Sequence, residues 1–305
     1  MRLNDAHCHF FSRRFFETLA RDDRRGRFAD SPVEDICATL EWEAPGSPSE
    51  LAATWVSTLD HHGVSRAALI ASVPGDEVSV TEAVRHAPDR FVGFFMVNPL
   101  AEDAVDRVSQ AIASGLRTVC LFPAMHRYRL DGDAVARVFE AASQSGSAVF
   151  VHCGVLSVGV RKKLGLASPF DLRLGDPLAV AAVALRFPSV PVVIPHFGAG
   201  MLREALMAAD QCPNIYLDTS SSNSWLKYHP GLTLEATFRQ ALAVAGPDRL
   251  LFGTDSSFFP RGWQKPIHDA QKAALESAGV DAGDRVKIFH GNFARLFPAP
   301  VDTRH

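Results

Sequence analysis

The feature that most constrains this chain is a repeat of short apolar runs alternating with longer amphipathic segments, eight times over. The runs fall at residues 3–7, 67–73, 91–97, 118–122, 148–152, 192–196, 214–218 and 250–255. Helical patterns separate them at 49–61, 77–86, 103–114, 133–145, 177–187, 202–211 and 234–245. Several runs, such as Val149-Phe150-Val151 and Leu250-Leu251-Phe252, are continuously apolar, as expected of parallel strands covered on both faces. Helix stops recur ahead of the strands at Gly63, Gly115 and Gly146. Strict βα alternation of this kind specifies an α/β fold, either a closed (β/α)8 (TIM) barrel or a doubly wound sheet. At 305 residues and 47% hydrophobic content, the chain fits one barrel domain over 1–305 better than two ordinary domains. The segments 266–278 and 283–297 read as the last barrel helix and a closing helix.

Three connections exceed a plain barrel turn: 10–47 after strand one, 154–175 after strand five and 256–265 after strand eight. All leave the carboxyl ends of strands, where barrel enzymes place their chemistry. The stretch at about 10–48 is expected to be either a cap-like insertion or oligomer contact, a homodimer being the assembly allowed for, or a merely tolerated surface insertion.

Composition narrows the function classes. Thirty-one basic residues against 34 acidic ones leave no basic stripe that would ask for nucleic acid. No run approaches eighteen apolar residues, so no membrane span is expected, and residues 1–5 lack the apolar core of a signal peptide. Five scattered cysteines without CxxC spacing argue against a disulfide framework and make a cytoplasmic location the expectation. GxGxxG, Walker and GxSxG patterns are absent, so the partner expected is a small-molecule substrate rather than a nucleotide.

The chemistry concentrates at strand ends. His7 and His9 flank Cys8, and residues i and i+2 of a strand share a face, so both imidazoles can converge on one ion. An HxH pair recurs by chance, but His152 ends strand five, His196 ends strand six and Asp255 ends strand eight. A carboxylate at the mouth of an apolar barrel is costly unless paired, hydrogen-bonded or metal-bound. Imidazoles plus a carboxylate suit Zn2+ and neighbouring divalent ions, Mn2+ included. The competing expectation is that each histidine is separately satisfied in the core.

Taken in order, Asp5-Ala6-His7-Cys8-His9, Val151-His152-Cys153-Gly154, Pro195-His196-Phe197-Gly198, Leu251-Phe252-Gly253-Thr254-Asp255 and Gly291-Asn292-Phe293-Ala294-Arg295-Leu296-Phe297 resemble the amidohydrolase superfamily. The resemblance is to its amidohydrolase-related (amidohydrolase 2) branch, which includes the aminocarboxymuconate-semialdehyde decarboxylase-like enzymes. It implies a TIM barrel with His7, His9, His152 and Asp255 as metal ligands. It also implies that His196 acts on water or substrate rather than on the metal alone, with Asp255 able to shuttle a proton. Strand four, around Cys120, offers no lysine to bridge two metals, so one divalent ion is expected and Cys120 is read as a core thiol. Arg261 and Trp263 are placed to meet substrate, the first gripping a carboxylate and the second forming an apolar wall. The loop 220–225 is a further candidate pocket wall.

The function expected is a metal-dependent hydrolase acting through metal-activated water on a small, carboxylate-bearing ester, lactone, amide or activated C–C bond. By the resemblance, the alternative is a non-oxidative decarboxylase of an aromatic or muconate-type acid; the stretch after His196 lacks the Gly-Glu that many decarboxylases of that branch show, which weighs slightly against it. A non-catalytic binding barrel is the third alternative.

Overall fold

The computed structural model describes residues 2–220 and 224–300. Eight parallel strands run in sequence order: β1 (Asn4–Phe10), β2 (Arg66–Ala71), β3 (Phe91–Val97), β4 (Thr118–Leu121), β5 (Ala148–Val151), β6 (Val192–Ile194), β7 (Ile215–Asp218) and β8 (Leu250–Leu251). The sheet closes through the backbone of the segment after β8: Ala6 donates to Phe252 O (2.8 Å), Asp255 to His7 O (2.9 Å) and His9 to Ser256 O (2.7 Å). The expected (β/α)8 barrel is therefore the observed one, with helices such as Glu77–His86, Asp133–Ser145, Leu202–Gln211 and Leu234–Ala245 around it. No helix among the described residues is long and apolar enough to cross a membrane.

Alternation sorts the strand residues into two layers. Ala68, Ile70, Val92, Phe94 and Met96 join one buried cluster with Cys120 and Phe150, whereas Ala67, Leu69, Ala71, Phe91, Phe95 and Val97 join the larger cluster shared with the helices. The first is the barrel interior and the second the sheet–helix interface. Phe293 and Phe297 of the closing segment belong to the interior cluster, and Phe297 packs 5.3 Å from Phe94.

Two departures from the expected elements bear on the site. Strands six and eight are short, so His196 and Asp255 lie beyond them: His196 in the tight turn Pro195–Gly198, Asp255 four residues past Leu251. Both have left-handed backbones (φ 57° and 61°), which no strand residue adopts. Strand one, conversely, runs on to Phe10 and carries an irregularity: Asp5 pairs with Ala67 but Cys8 with Leu69, one extra residue in β1.

The 10–48 insertion folds into two helices, Arg13–Arg21 and Pro32–Leu40. Phe15, Phe16, Leu19, Val33, Ile36 and Leu40 share a separate buried cluster with Val160, Leu164 and Leu166 from the connection after β5. Arg161 reaches Asp22 (2.5 Å) and Arg27 donates to Leu164 O (2.7 Å), so the two long connections form one cap with its own core.

Candidate metal and active site

The extra residue in β1 decides how the site is built. Without it, strict alternation would turn either Ala6 or His9 away from the interior. With His7 as the inserted residue, Ala6 faces the interior layer, Cys8 and Phe10 face the helices, and His9 is paired with interior Ile70. A bulge beside a site that re-aims a side chain is a recurrent device.

His7 Nε2, His9 Nε2 and Asp255 Oδ1 converge: 3.4 Å between the imidazole nitrogens, 3.6 Å from His7 and 3.1 Å from His9 to the carboxylate. Donors around a tetrahedral ion with bonds of roughly 2.0–2.2 Å stand about 3.3–3.6 Å apart, so two of the three separations match and the His9–Asp255 one is slightly shorter. Hydrogen bonding fixes the tautomers. The Ser72 hydroxyl donates to Ile70 O (3.0 Å), so it must accept from His9 Nδ1 (2.8 Å), which therefore carries the proton. His7 Nδ1 donates to Asp218 Oδ2 (2.6 Å). The cluster thus presents three lone pairs to one another, and a cation between them is what such an arrangement accommodates. Among the described residues these three form the group able to hold a metal ion.

The charges agree. Burial lowers His9, more than Asp255 raises it, and burial with the neighbouring imidazoles His196 and His7 drives His152 far below the ordinary histidine value. His196 is likewise lowered, by burial and by His7. Three imidazoles are therefore neutral at neutral pH, as metal ligands or bases must be. His7 goes the other way: burial is outweighed by the carboxylates of Asp218, Asp255 and Asp5. Burial would raise Asp255 too, but His9, His196 and His7 hold it far below the carboxylate range.

Under the cluster lies a supporting layer that the sequence did not reveal. Asp218, at the end of β7, is fully buried and accepts from His7 and from Ser220 N (2.6 Å). Ser220 Oγ lies 3.0 Å from His7 Nδ1 and 2.8 Å from His196 Nδ1, and Ser220 O lies 3.1 Å from the same His196 nitrogen. Gly253 makes room for this layer: a Cβ there would stand 2.9 Å from Asp218 Oδ1 and from His7 Cβ. Asp218 was detectable by the cost argument that flagged Asp255, a carboxylate ending an apolar strand. Ser72 carried no such signal.

The other expected site residues divide. His152 lines the same cavity and stacks on Phe122 (ring centroids 5.3 Å), but contributes no nitrogen to the three-atom group, and its buried Nδ1 has no partner among the described residues. His196 stands 4.8 Å from His7 and 5.3 Å from His152, centroid to centroid. Its turn is held against the β5 connection, where Val155 donates to Ala199 O (2.9 Å). Arg261 lines the cavity, bonded to Ser257 Oγ (2.7 Å) with its guanidinium 4.3 Å above the Phe258 ring. Trp263 does not line it. That indole is buried and donates to Asp5 Oδ2 (2.7 Å), because the loop after β8 turns its side chain back toward the barrel wall. Cys120 sits in the interior layer as a buried thiol. Of the loop after β7, Ser224 and Trp225 line the cavity, while 221–223 lie outside the described residues.

The cavity holds about 720 Å³ and opens between the metal cluster and the cap. Phe11 stacks on Phe15 (3.9 Å) and Trp42 on Phe258 (3.8 Å), giving an aromatic wall made by the cap and the connection after β8.

Comparison with known proteins agrees with this architecture. The sequence profile of the amidohydrolase family matches residues 4–299. A probable 2-pyrone-4,6-dicarboxylic acid hydrolase from Acinetobacter baumannii, crystallised with citric acid, superposes with a TM-score of 0.64 at 16% identity over 97% of this chain and 99% of that one. A Burkholderia multivorans amidohydrolase with bound zinc gives 0.66 at 18% identity over 98% and 100%. A mutant 5-carboxyvanillate decarboxylase from Novosphingobium aromaticivorans, with manganese and a nitrobenzoic acid, gives 0.66 at 15% over 97% of each chain. At these identities the likeness is one of fold. A ribosomal RNA large subunit methyltransferase K/L from Pseudomonas aeruginosa is 33% identical over 143 residues, 45% of this chain; the chain spans 18% of that protein's length, and no activity carries over from it.

Proposed function

The chain belongs to the amidohydrolase family of metal-dependent enzymes, and from that premise we propose that it is a hydrolase of a small, planar, carboxylate-bearing substrate. The observation that carries this reading is the convergence of three lone-pair-bearing atoms on one point of a cavity that also holds His196 and Arg261. His7, His9 and Asp255 would hold one divalent ion, Zn2+ by donor set with Mn2+ as the second choice, and His152 on the adjoining wall is the fourth ligand. Such an ion, when bound, supplies Lewis-acid polarisation and acidifies water.

The protein's own residues do the rest. A carbonyl oxygen only accepts, so the contact with Ser220 O assigns the His196 proton to Nδ1 and leaves Nε2 bare, the state of a general base. Asp255 Oδ2 takes no hydrogen bond among the described residues and is free to relay that proton. Arg261 supplies a fork for a carboxylate, and the aromatic side chains Phe11, Phe15, Trp42 and Phe258 an apolar wall for the rest of the substrate.

The aromatic wall also favours one second reading, non-oxidative decarboxylation of an aromatic acid, in which His196 returns a proton to the ring carbon. Neighbours of similar fold include proteins named for each reaction. The deciding experiment loads the purified protein with Zn2+ or Mn2+ and offers pyrone and lactone acids, aryl esters and hydroxybenzoates, recording acid release and CO2 separately. Acid without CO2 supports hydrolysis; CO2 from a hydroxybenzoate replaces it with decarboxylation. Chelation should abolish turnover, and His196→Asn should lower kcat by about 10²–10⁴. Full activity in that variant would leave the binding-barrel alternative standing.

A further inference from the structure

Asp255 enters the metal cluster from a left-handed backbone, with φ 61°. That conformation is strained for a residue with a Cβ and persists where the surroundings hold it. The two peptide groups that flank Asp255 show what holds it here. Thr254 O and Asp255 O both accept from Gln264 Nε2, each at 3.0 Å. A carbonyl oxygen only accepts, so both amide protons are spent on these two bonds. One rigid NH2 group on both carbonyls fixes the two peptide planes relative to each other, and that relation is the φ/ψ of Asp255. Asp255 N, bonded to His7 O (2.9 Å), completes the hold from the strand side. Arg261 Nη2 reaches Asp255 O at 3.4 Å, a longer contact than the glutamine's.

Gln264 stands where a helix would favour another residue. It is the N-cap of the helix Lys265–Ser277, a place preferred by Ser, Thr, Asp and Asn, and its side chain makes no capping bond. The helix forgoes that bond, and the amide goes to the Asp255 peptides instead. The main chain of Gln264 is fixed separately. Its N–H donates to Ser256 Oγ (2.9 Å). Thr254 Oγ1 gives its proton to Asp5 Oδ2 (2.6 Å), so Ser256 Oγ donates to Thr254 Oγ1 (2.6 Å). This line of donors ends on a buried carboxylate of β1, and the glutamine works from an anchored base.

We propose that Gln264 is a positioning residue: it clamps the Asp255 backbone and thereby sets where the carboxylate meets His7 and His9. The inference rests on the proposed function, in which Asp255 is a metal ligand. With the two amide protons removed, the peptides on either side of Asp255 rotate toward the extended region, which carries Oδ1 away from its 3.1 Å contact with His9 Nε2. The cluster then keeps two imidazoles and loses its carboxylate. Asp218 orders an imidazole through a hydrogen bond to its ring; Gln264 orders the one anionic ligand through its main chain.

The test titrates the metal-free protein with Co2+, a neighbour of Zn2+ in donor preference whose visible absorption reports coordination geometry. The native chain is compared with Gln264→Met, which keeps the length without a donor, and with Gln264→Asn. Asparagine is the better N-cap, but its amide is one methylene too short to reach both carbonyls. Both variants should bind Co2+ about tenfold more weakly and give an altered visible spectrum. The metal-free Gln264→Asn protein should melt no lower than the native one, which separates the clamp from a helix-capping role. Native affinity and a native spectrum in both variants overturn the proposal. So does weaker binding that only accompanies a lower melting temperature of the metal-free protein in both. Failure of the native chain to bind Co2+ is a different result, which removes the metal-dependent function proposed above and the clamp with it.

Discussion

His7 Nδ1 and Asp218 Oδ2 lie 2.6 Å apart in a place from which water is excluded, His7 being 1% exposed and Asp218 not at all. The pair does for the metal cluster what neither residue does alone. The carboxylate fixes which imidazole nitrogen carries the proton and therefore which one faces His9 and Asp255.

Replacing that carboxylate should be felt at the metal before it is felt in the fold. Asp218→Asn keeps an acceptor oxygen but removes the charge that makes His7 a stronger donor. It is expected to weaken Zn2+ binding about 10–100-fold. Competition with a chromophoric chelator measures this, and unchanged affinity would mean that Asp218 is ballast in the barrel.

Gly154 should prove irreplaceable by alanine. Its φ of +67° is left-handed, and a Cβ there would stand 2.1 Å from Gly198 O and 2.5 Å from Ala199 O, in the turn that carries His196. The left-handed conformation alone costs roughly 1–2 kcal/mol, and backbone carbonyls cannot swing aside as a side chain would. Gly154→Ala should lower the melting temperature and, by displacing His196, lower kcat more than KM. A variant with native stability and native kcat would refute the coupling.

Asp76 gives a stability signal in pH. It is buried, and burial raises its carboxyl to about 6 against the opposing bonds from Ser12 and Ser79 and the charge of Arg14. A folded-state value above the unfolded 3.8 means that the folded chain holds this proton more tightly. The associated stability is complete below about pH 4 and is lost as pH rises through 6, up to about 3 kcal/mol for a shift of this size. Asp76→Asn does not titrate, so its stability relative to the native chain should improve between pH 4 and 7.5. Denaturant titrations of both proteins across that range decide it, and a constant difference would count against the assignment.

Trp263 should behave as a structural residue. Asp5 accepts four bonds, from His7 N, Thr254 N, Thr254 Oγ1 and Trp263 Nε1, tying β1 to the segment after β8. Trp263→Phe leaves a buried carboxylate one donor short, a loss of about 1–3 kcal/mol in unfolding free energy. KM should stay within about twofold of native. A raised KM with unchanged stability would return Trp263 to the substrate wall.

Much of this was legible in the residues. Amphipathic periodicity over Asp133–Ser145 and Leu234–Ala245 gave those helices to the residue, because a long face repeated every 3.6 residues has no strand equivalent. His7, His9 and Asp255 were legible as well, since polar groups ending apolar runs need a partner. The ends of β6 and β8 were overextended, because Pro195-His196 and Thr254-Asp255 look like strand while His196 and Asp255 have left-handed backbones.

The metal cluster marks the division. Sequence alone determined that histidines and a carboxylate end several apolar strands of an alternating βα chain, and so lie at one end of its sheet. Only the tertiary structure decided which atoms converge, by inserting His7 as an extra residue in β1 and by setting Ser72 and Asp218 behind the imidazoles. It also turned Trp263 away from the cavity and brought Trp42 and Lys163 to its wall from the cap. Periodicity reports which face of an element is buried; hydrogen bonds between groups some 63 and 211 residues apart in the chain leave no trace in it.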